Sequence, residues 1–243
     1  IDKGNARFGG QEALVVFDDV FIPWENVLMA GEYEFAQEMV ARFTSYHRAS
    51  YVCKTGLGDV LIGAAATVAE YNGVENVSHI KDKLVEMTHL NETIYSSAIA
   101  SSHEAKPMES GIYMNDGMLA NICKHNVTRF PYELSRLAQD IAGGLMVTLP
   151  SQQDFENDVT GPLLEKYLKG RSNVPVEHRA RLLRLIENMT LGRNAVGYLT
   201  ESMHGAGSPQ AQRIQIQRTM DVERKKSFAR DLAGVVSGMP GED

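Results

Sequence analysis

Cysteine is the scarcest chemically useful residue in this chain: Cys53 and Cys123 are the only two among 243 residues. Two thiols make a disulfide framework an unlikely design, and no Cys-x-x-Cys pair exists from which this chain alone would build a zinc site. A long basic run is missing as well, and the net charge is −7. That argues against nucleic acid and anionic membrane as main partners. No secretory signal or apolar run of membrane-spanning length stands out, so the expected location is the cytoplasm. Methionine does not open the sequence; Ile-Asp-Lys-Gly does, and residues 1–31 read as the tail of something larger, a fragment or processed piece.

What is present suits a globular protein. Apolar residues make up 43% and charged residues 23%, enough at this length to bury a substantial core in one large domain or two small ones. Leu14-Val15-Val16-Phe17-Asp18-Asp19-Val20-Phe21-Ile22-Pro23 is rich in Val and Phe and closes at Pro, which predicts a strand or two short ones. Everything later reads as helix. A stretch over 33–71 is stopped by Asn72-Gly73. The next, 75–104, places Ile80, Leu84, Met87, Leu90 and Ile94 at the spacing of one buried face. Residues 115–142 follow with a kink at Pro131. Residues 143–176, punctuated by Gly143-Gly144, Pro150, Gly161-Pro162 and Gly170, form a long excursion with one short helix. Residues 177–203 repeat the pattern through Leu182, Ile186, Met189, Val196 and Leu199, and a last helix runs from Pro209 to about Val236. The expectation is a mainly α fold: an up-down helical bundle over 32–243 behind a short N-terminal β remnant over 1–31.

Chemistry concentrates in His47-Arg48-Ala49-Ser50-Tyr51-Val52-Cys53-Lys54, followed by the small, apolar Gly56-Leu57-Gly58-Asp59-Val60-Leu61-Ile62-Gly63-Ala64-Ala65-Ala66. A solvated face would carry Glu/Lys pairs here and a core face Leu and Val. His47 and Cys53 are of metal-ligating type. At about 100° per residue, however, positions six apart diverge by about 120°, whereas seven apart nearly eclipse. On a regular helix His47 therefore shares its face with Tyr51 and Lys54, and joint ligation by His47 and Cys53 requires a local break. The plainer reading is a buried thiol and a hydrogen-bonded imidazole.

A second cluster is Glu201-Ser202-Met203-His204-Gly205-Ala206-Gly207-Ser208-Pro209. Gly205 and Gly207 permit positive φ, Ser208 suits an N-cap and Pro209 the first helical position. The result is either a phosphate cradle at a helix N-terminus or a tight helix–helix corner. Glu201 reads as a helix-end carboxylate or a proton-handling group. Asp140 with Gly143-Gly144 is a C-cap or a place where a cofactor or a neighbouring subunit approaches the backbone. Cys123, among Leu119, Ile122 and Val127, reads as core, and Glu12 as a loop carboxylate. His79, His89, His103, His125 and His178 have no partner at ligand spacing.

Taken together, several stretches resemble the 4-hydroxyphenylacetate 3-hydroxylase family of flavoproteins, over the C-terminal half and most closely in its acyl-CoA dehydratase branch. They include Val16-Phe17-Asp18-Asp19-Val20-Phe21-Ile22-Pro23, Tyr46-His47-Arg48, Cys53-Lys54, Thr128-Arg129-Phe130-Pro131-Tyr132-Glu133, Asp140-Ile141-Ala142-Gly143-Gly144 and Thr200 to Arg213. The resemblance implies an acyl-CoA-dehydrogenase-like bundle, the N-terminal half of the enzyme as partner, a homotetramer, FAD, a [4Fe-4S] cluster and an acyl-CoA substrate. It further implies that His47 and Cys53 are two of the cluster's four ligands, with two more cysteines in the N-terminal half. Glu12, His47, Tyr51, Lys54 and Glu201 match the acid/base and positioning groups. His204, Gly205, Ala206, Gly207, Ser208 and Pro209, with Asp140, Gly143 and Gly144, would meet FAD.

The reaction implied is dehydration of a 4-hydroxyacyl thioester together with isomerisation of its β,γ-unsaturated relative. The dehydratases place six residues between the ligand His and Cys; five stand between His47 and Cys53 here. Two other outcomes remain open: a cluster-free FAD-dependent aromatic hydroxylase, and a non-catalytic tetramerising subunit. As an isolated piece the chain is expected to be inactive.

Overall fold

The computed structural model describes residues 13–192 and 194–235. Its centre is helix α2 (Cys53–Asn72), preceded by α1 (Ala36–Ser50) and followed by α3 (Ser78–His103). Helix α2 stops where expected: Gly73 takes φ +74°, and the amides of Gly73 and Val74 return to the carbonyls of Glu70 and Ala69 at 2.9 Å, a left-handed cap that glycine adopts without Cβ strain. Beyond α3 come α4 (Gly117–Val127) and α5 (Phe130–Ala142). Asp116 caps α4 by accepting the Leu119 amide at 2.7 Å. The expected kink near Pro131 is a full break at Thr128–Arg129, with Pro131 in the first turn of α5, where its missing N–H costs nothing.

The excursion holds two short helices, α6 (Gln152–Glu156) and α7 (Gly161–Tyr167), before α8 (Val176–Thr190). The expected helix over 177–203 is interrupted. Leu191 and Gly192 both donate to the Glu187 carbonyl, a π turn runs Val196–Thr200, and a single α-turn, α9 (Glu201–His204), ends the segment. Val196 is consequently half exposed rather than core. The last expected helix also divides, into α10 (Pro209–Thr219) and α11 (Val222–Ala233), because Asp221 caps a new start by accepting the Arg224 amide.

Helices α3, α5 and α8 pack around α2. Leu61, Ala64, Ala65, Val68, Met87, Leu134, Ala138, Leu183 and Ile186 form the main aliphatic core. The small residues of α2 allow close approach: a Cβ on Gly58 would lie 2.8 Å from Asn91 Cγ on α3. Asn91 in turn donates to the Thr55 carbonyl at 3.1 Å and to Asp59 at 2.8 Å. A smaller core of Tyr51, Ile94, Ala98, Cys123 and Val127 joins α1, α3 and α4. Helix α10 packs on α4.

Two expectations change. Among the described residues, 13–23 form no strand, and Leu14, Val16, Phe17 and Phe21 stand exposed. A strand needs a partner for its peptide groups, and none is supplied here. The sheet that does occur, β1 (Lys106–Pro107) antiparallel to β2 (Tyr113–Met114), closes a turn in which Gly111 takes φ +81°. The helical stretch Tyr33–Asn72 does contain a window long and apolar enough to cross a membrane by length and composition, with mean hydropathy 1.4 and 33% burial in the bundle. Reading for an unbroken apolar run missed it because the charged Lys54 and Asp59 interrupt the Val, Leu and Ile residues that supply the hydropathy.

Candidate active site

The reactive octapeptide straddles the junction of α1 and α2, which is not a regular helix. Four amides there bond three residues back: Tyr51 to Arg48 (3.4 Å), Val52 to Ala49 (3.1 Å), Lys54 to Tyr51 (3.0 Å) and Thr55 to Val52 (2.9 Å). Such 3₁₀ winding turns about 120° per residue in place of about 100°. Over the two turn residues Tyr51 and Val52 it offsets part of the ~120° divergence that a uniform α-helix would put between His47 and Cys53. No glycine is needed for the break.

His47 is wedged between aromatic rings, with Phe43 edge-on at 5.1 Å and Tyr51 at 5.5 Å. Its Nδ1 is buried with no hydrogen-bond partner among the described residues. Cys53 is an exposed free thiol. Among the described residues no three His, Cys, Asp or Glu side chains gather as a metal site, so this pair would be at most part of a ligand set.

One turn later the chain closes a charged knot. Tyr51, 5% exposed, donates its hydroxyl to Glu201 Oε1 across 150 residues. Lys54 forms an ion pair with Glu201 Oε2 and donates to the Gly197 carbonyl at 2.8 Å. The Gly197 carbonyl lies in the π turn, a distortion that frees carbonyls from the helical ladder. Burial works against the Glu201 carboxylate, but the hydrogen bonds from Lys54 and Tyr51 outweigh it and hold the group below the usual carboxylate range. Glu201 is therefore an ionised acceptor facing a phenol.

The loop after Glu201 is fitted to that knot. Gly205 does not need a positive φ, contrary to expectation; it sits at φ −58°. It needs to lack a side chain, because a Cβ there would overlap the Tyr51 hydroxyl and lie 2.7 Å from Glu201 Oε1. Positive φ falls instead on Ala206 (+55°) and Gly207 (+100°). Arg48 holds the Ala206 carbonyl at 3.0 Å and Gln212 holds the Gly207 carbonyl at 2.9 Å. Ser208 occupies the N-cap of α10 without a side-chain bond, and Pro209 opens the helix as expected. His204 is exposed. Asp140 pairs with Lys83 at 2.7 Å, and Gly143 takes φ +79° in the turn after α5, with Gly144 beginning a 3₁₀ turn. Glu12 lies outside the described residues.

Sequence reasoning gave two buried residues no role of their own, although it named Arg48 within the reactive octapeptide. Arg48 is buried and donates to Asn121 Oδ1 at 2.6 Å. Lys124 is completely buried, donates to the Ser202 carbonyl and stands 4.2 Å from the Tyr51 ring centroid. Burial pushes its ammonium down to about 8, against the pull of Glu201. The signal was available: Ala120, Cys123, Lys124 and Val127 share the buried stripe of α4. Cys123 behaves as expected, fully buried, its thiol pushed up to about 12 by burial. An open cleft of ≈ 390 Å³ lies beside the junction, lined by Tyr46, Ser50, Val52, Ile99 and Tyr113 among others, but not by Tyr51, Lys54 or Glu201.

Comparison with known proteins places the chain in a family. The family model for the 4-hydroxyphenylacetate 3-hydroxylase C terminal matches residues 36–234. The 4-hydroxybutyryl-CoA dehydratase/vinylacetyl-CoA-Delta-isomerase of Clostridium aminobutyricum is 55% identical over 97% of this chain and 50% of that protein. Among solved structures, an oxygen-tolerant archaeal 4-hydroxybutyryl-CoA dehydratase from N. maritimus superposes with a TM-score of 0.94 at 73% identity, covering 98% of this chain and 48% of that one. The oxygenase component of a 4-hydroxyphenylacetate 3-monooxygenase, complexed with FAD and 4-hydroxyphenylacetate, superposes at 0.80 with 25% identity over 89% and 46%. The chain thus spans about half the length of the relatives it matches. It belongs to the 4-hydroxyphenylacetate 3-hydroxylase family, of which it carries the C-terminal helical region.

Proposed function

We propose that this chain is the C-terminal part of a flavin- and iron–sulfur-dependent lyase-isomerase that dehydrates 4-hydroxybutyryl-CoA to crotonyl-CoA and isomerises vinylacetyl-CoA. The observation that carries the reading is the Glu201 carboxylate gripped by both Tyr51 and Lys54, one turn from His47 and Cys53, in a chain 55% identical to a dehydratase-isomerase. Both activities move protons along an acyl chain, and this knot is built to hold and release one. The Tyr51 hydroxyl carries the proton, Glu201 Oε1 is the ionised acceptor beside it, and Lys54 keeps that acceptor charged and fixed.

The donor set suits both cofactors of the reading. The loop Gly205–Pro209, with positive φ at Ala206 and Gly207, pinned by Arg48 and Gln212 at the N-terminus of α10, fits phosphate oxygens of FAD. The buried, unpartnered Nδ1 of His47 and the exposed Cys53 thiol fit two of four cluster ligands; the other two would come from the N-terminal half. Bound FAD supplies one-electron exchange with the substrate, and the cluster a Lewis acid for the leaving hydroxyl. Within this chain His47 is the second proton acceptor, oriented by Phe43 and Tyr51. Residues 1–31 would complete the neighbouring β domain, and 32–243 would make up the bundle domain. Exposed Phe17, Phe21 and Trp24, with Met39 and Phe43 on α1, are the surface that the N-terminal half would cover. A homotetramer in the cytoplasm, where thiol ligands stay reduced, belongs to the same proposal.

The test is anaerobic purification of the full-length protein, followed by absorbance and turnover. Broad iron–sulfur absorbance beneath flavin bands, with conversion of both 4-hydroxybutyryl-CoA and vinylacetyl-CoA to crotonyl-CoA, supports the reading. Flavin bands alone with hydroxylation of a phenol would replace it by the hydroxylase, and neither chromophore by a structural subunit.

A further inference from the structure

Lys124 has no part in the reaction just described, yet its surroundings belong almost entirely to that site. It projects from α4 with no exposed surface. Its ammonium donates to the carbonyl of Ser202 and lies 3.5 Å from that of Met203, the two residues that follow Glu201 on α9. The Tyr51 ring lies over it at 4.2 Å. Taking an ammonium out of water is costly unless its new neighbours compensate, and a methionine would fill much the same volume without that cost. Every compensating group named here is on Tyr51 or on the turn that carries Glu201. The charged and titratable groups around it are Glu201 from α9, Lys54 from α2, Arg48 from α1 and Cys123 on α4 itself. Glu201 is the only carboxylate among them, faced by three cations.

We propose that Lys124 is a positioning residue of the acid–base site: its buried ammonium locks the Tyr51 ring to the Glu201 turn and keeps Glu201 in the carboxylate form that accepts the Tyr51 hydroxyl. The proposal rests on the reading that Tyr51 and Glu201 handle protons, and it assigns Lys124 no contact with substrate. The lowered ammonium is consistent with it, since a group near 8 is still mainly charged at neutral pH while Glu201 pulls it upward.

The test uses the full-length protein with Lys124→Met, Lys124→Gln and Lys124→Arg. A phenol bonded to a carboxylate absorbs to the red of one that is not. The ultraviolet difference between each variant and the same variant carrying Tyr51→Phe, followed over pH, therefore titrates Glu201 without substrate. The midpoint is expected to rise by about one pH unit in the Met and Gln variants, which remove a neighbouring positive charge, and to stay at the native value in the Arg variant. In the same two variants kcat is expected to fall at least about tenfold with little change in KM, as for loss of an orienting group. An unmoved midpoint in both Met and Gln overturns the proposal, as does an Arg variant shifted as far as Met. Should the Met variant not fold, Gln decides, because it keeps an N–H for the Ser202 carbonyl. A normal midpoint shift in a protein that turns over no acyl-CoA would leave the Lys124 assignment standing and overturn only the reading of substrate.

Discussion

Helix α2 serves two regions of the molecule that are held by different forces. From Leu61 to Ala69 it contributes to a core in which Leu61, Ala65, Val68, Leu134 and Leu183 are almost fully buried. Around its first turn the buried groups are Arg48, Tyr51, Lys124, Asn121 and Gln212, which donate to carbonyl oxygens and to Glu201. Aliphatic burial is non-directional and contributes roughly in proportion to area. The polar end is directional, and much of what its bonds contribute offsets the cost of removing charges from water. The aliphatic end therefore sets how stable the bundle is, and the polar end sets where a few atoms stand. Substitutions should divide accordingly.

The largest separation is expected from Glu201→Gln and Tyr51→Phe in the full-length protein. Each should lower turnover by about 10²- to 10⁴-fold, the usual worth of a positioned proton-transfer group. The thermal midpoint should move little in Tyr51→Phe but fall in Glu201→Gln, which leaves Lys54 and Lys124 without their carboxylate; an active Tyr51→Phe enzyme would refute the role given to the phenol. Gly205→Ala comes next. Its new Cβ would force the Tyr51 hydroxyl away from Glu201, and displacement by about 1 Å costs on the order of 10²-fold in rate. Steady-state kinetics beside near-ultraviolet circular dichroism would separate that displacement from unfolding.

Leu61→Ala should behave in the opposite way. Loss of a fully buried side chain is expected to destabilise by about 2–5 kcal/mol in denaturant unfolding, with kcat of the folded fraction unchanged. A large kcat loss would show that the two ends are coupled.

A smaller effect is expected from acid. The folded-state pKa of Glu201 lies below its ordinary value, so the stability it contributes is complete above the unfolded carboxyl pKa and is lost as pH falls through the folded one. The stability gap between the native protein and Glu201→Gln should therefore narrow on acidification below the ordinary carboxyl range. Arg136→Ala, which breaks an exposed pair with Glu133 on α5, should leave both the midpoint and the rate unchanged.

Much of the aliphatic region was legible in the sequence because burial follows a helical period: Ile80, Met87, Leu90 and Ile94 are all buried. Helix ends written in local chemistry, such as Asn72-Gly73, were legible too. The interruptions near 191–200 and at Asp221 were harder, since a cap in mid-pattern competes with apolar spacing that continues past it. In the site, Tyr51, Lys54 and Glu201 were each identified, but their contact was not, because it spans about 150 residues. Lys124 escaped attention because a lysine beside a cysteine on an amphipathic helix ordinarily reads as surface.

The sequence by itself determined the helical class, most helix positions, the inert burial of Cys123 and the family resemblance, all of which rest on neighbours within a turn or two. Only the tertiary structure decided that Gly205 exists to admit a phenol and that a lysine belongs beneath Tyr51. Those facts depend on distances between segments far apart in the chain, which packing sets and local propensity cannot.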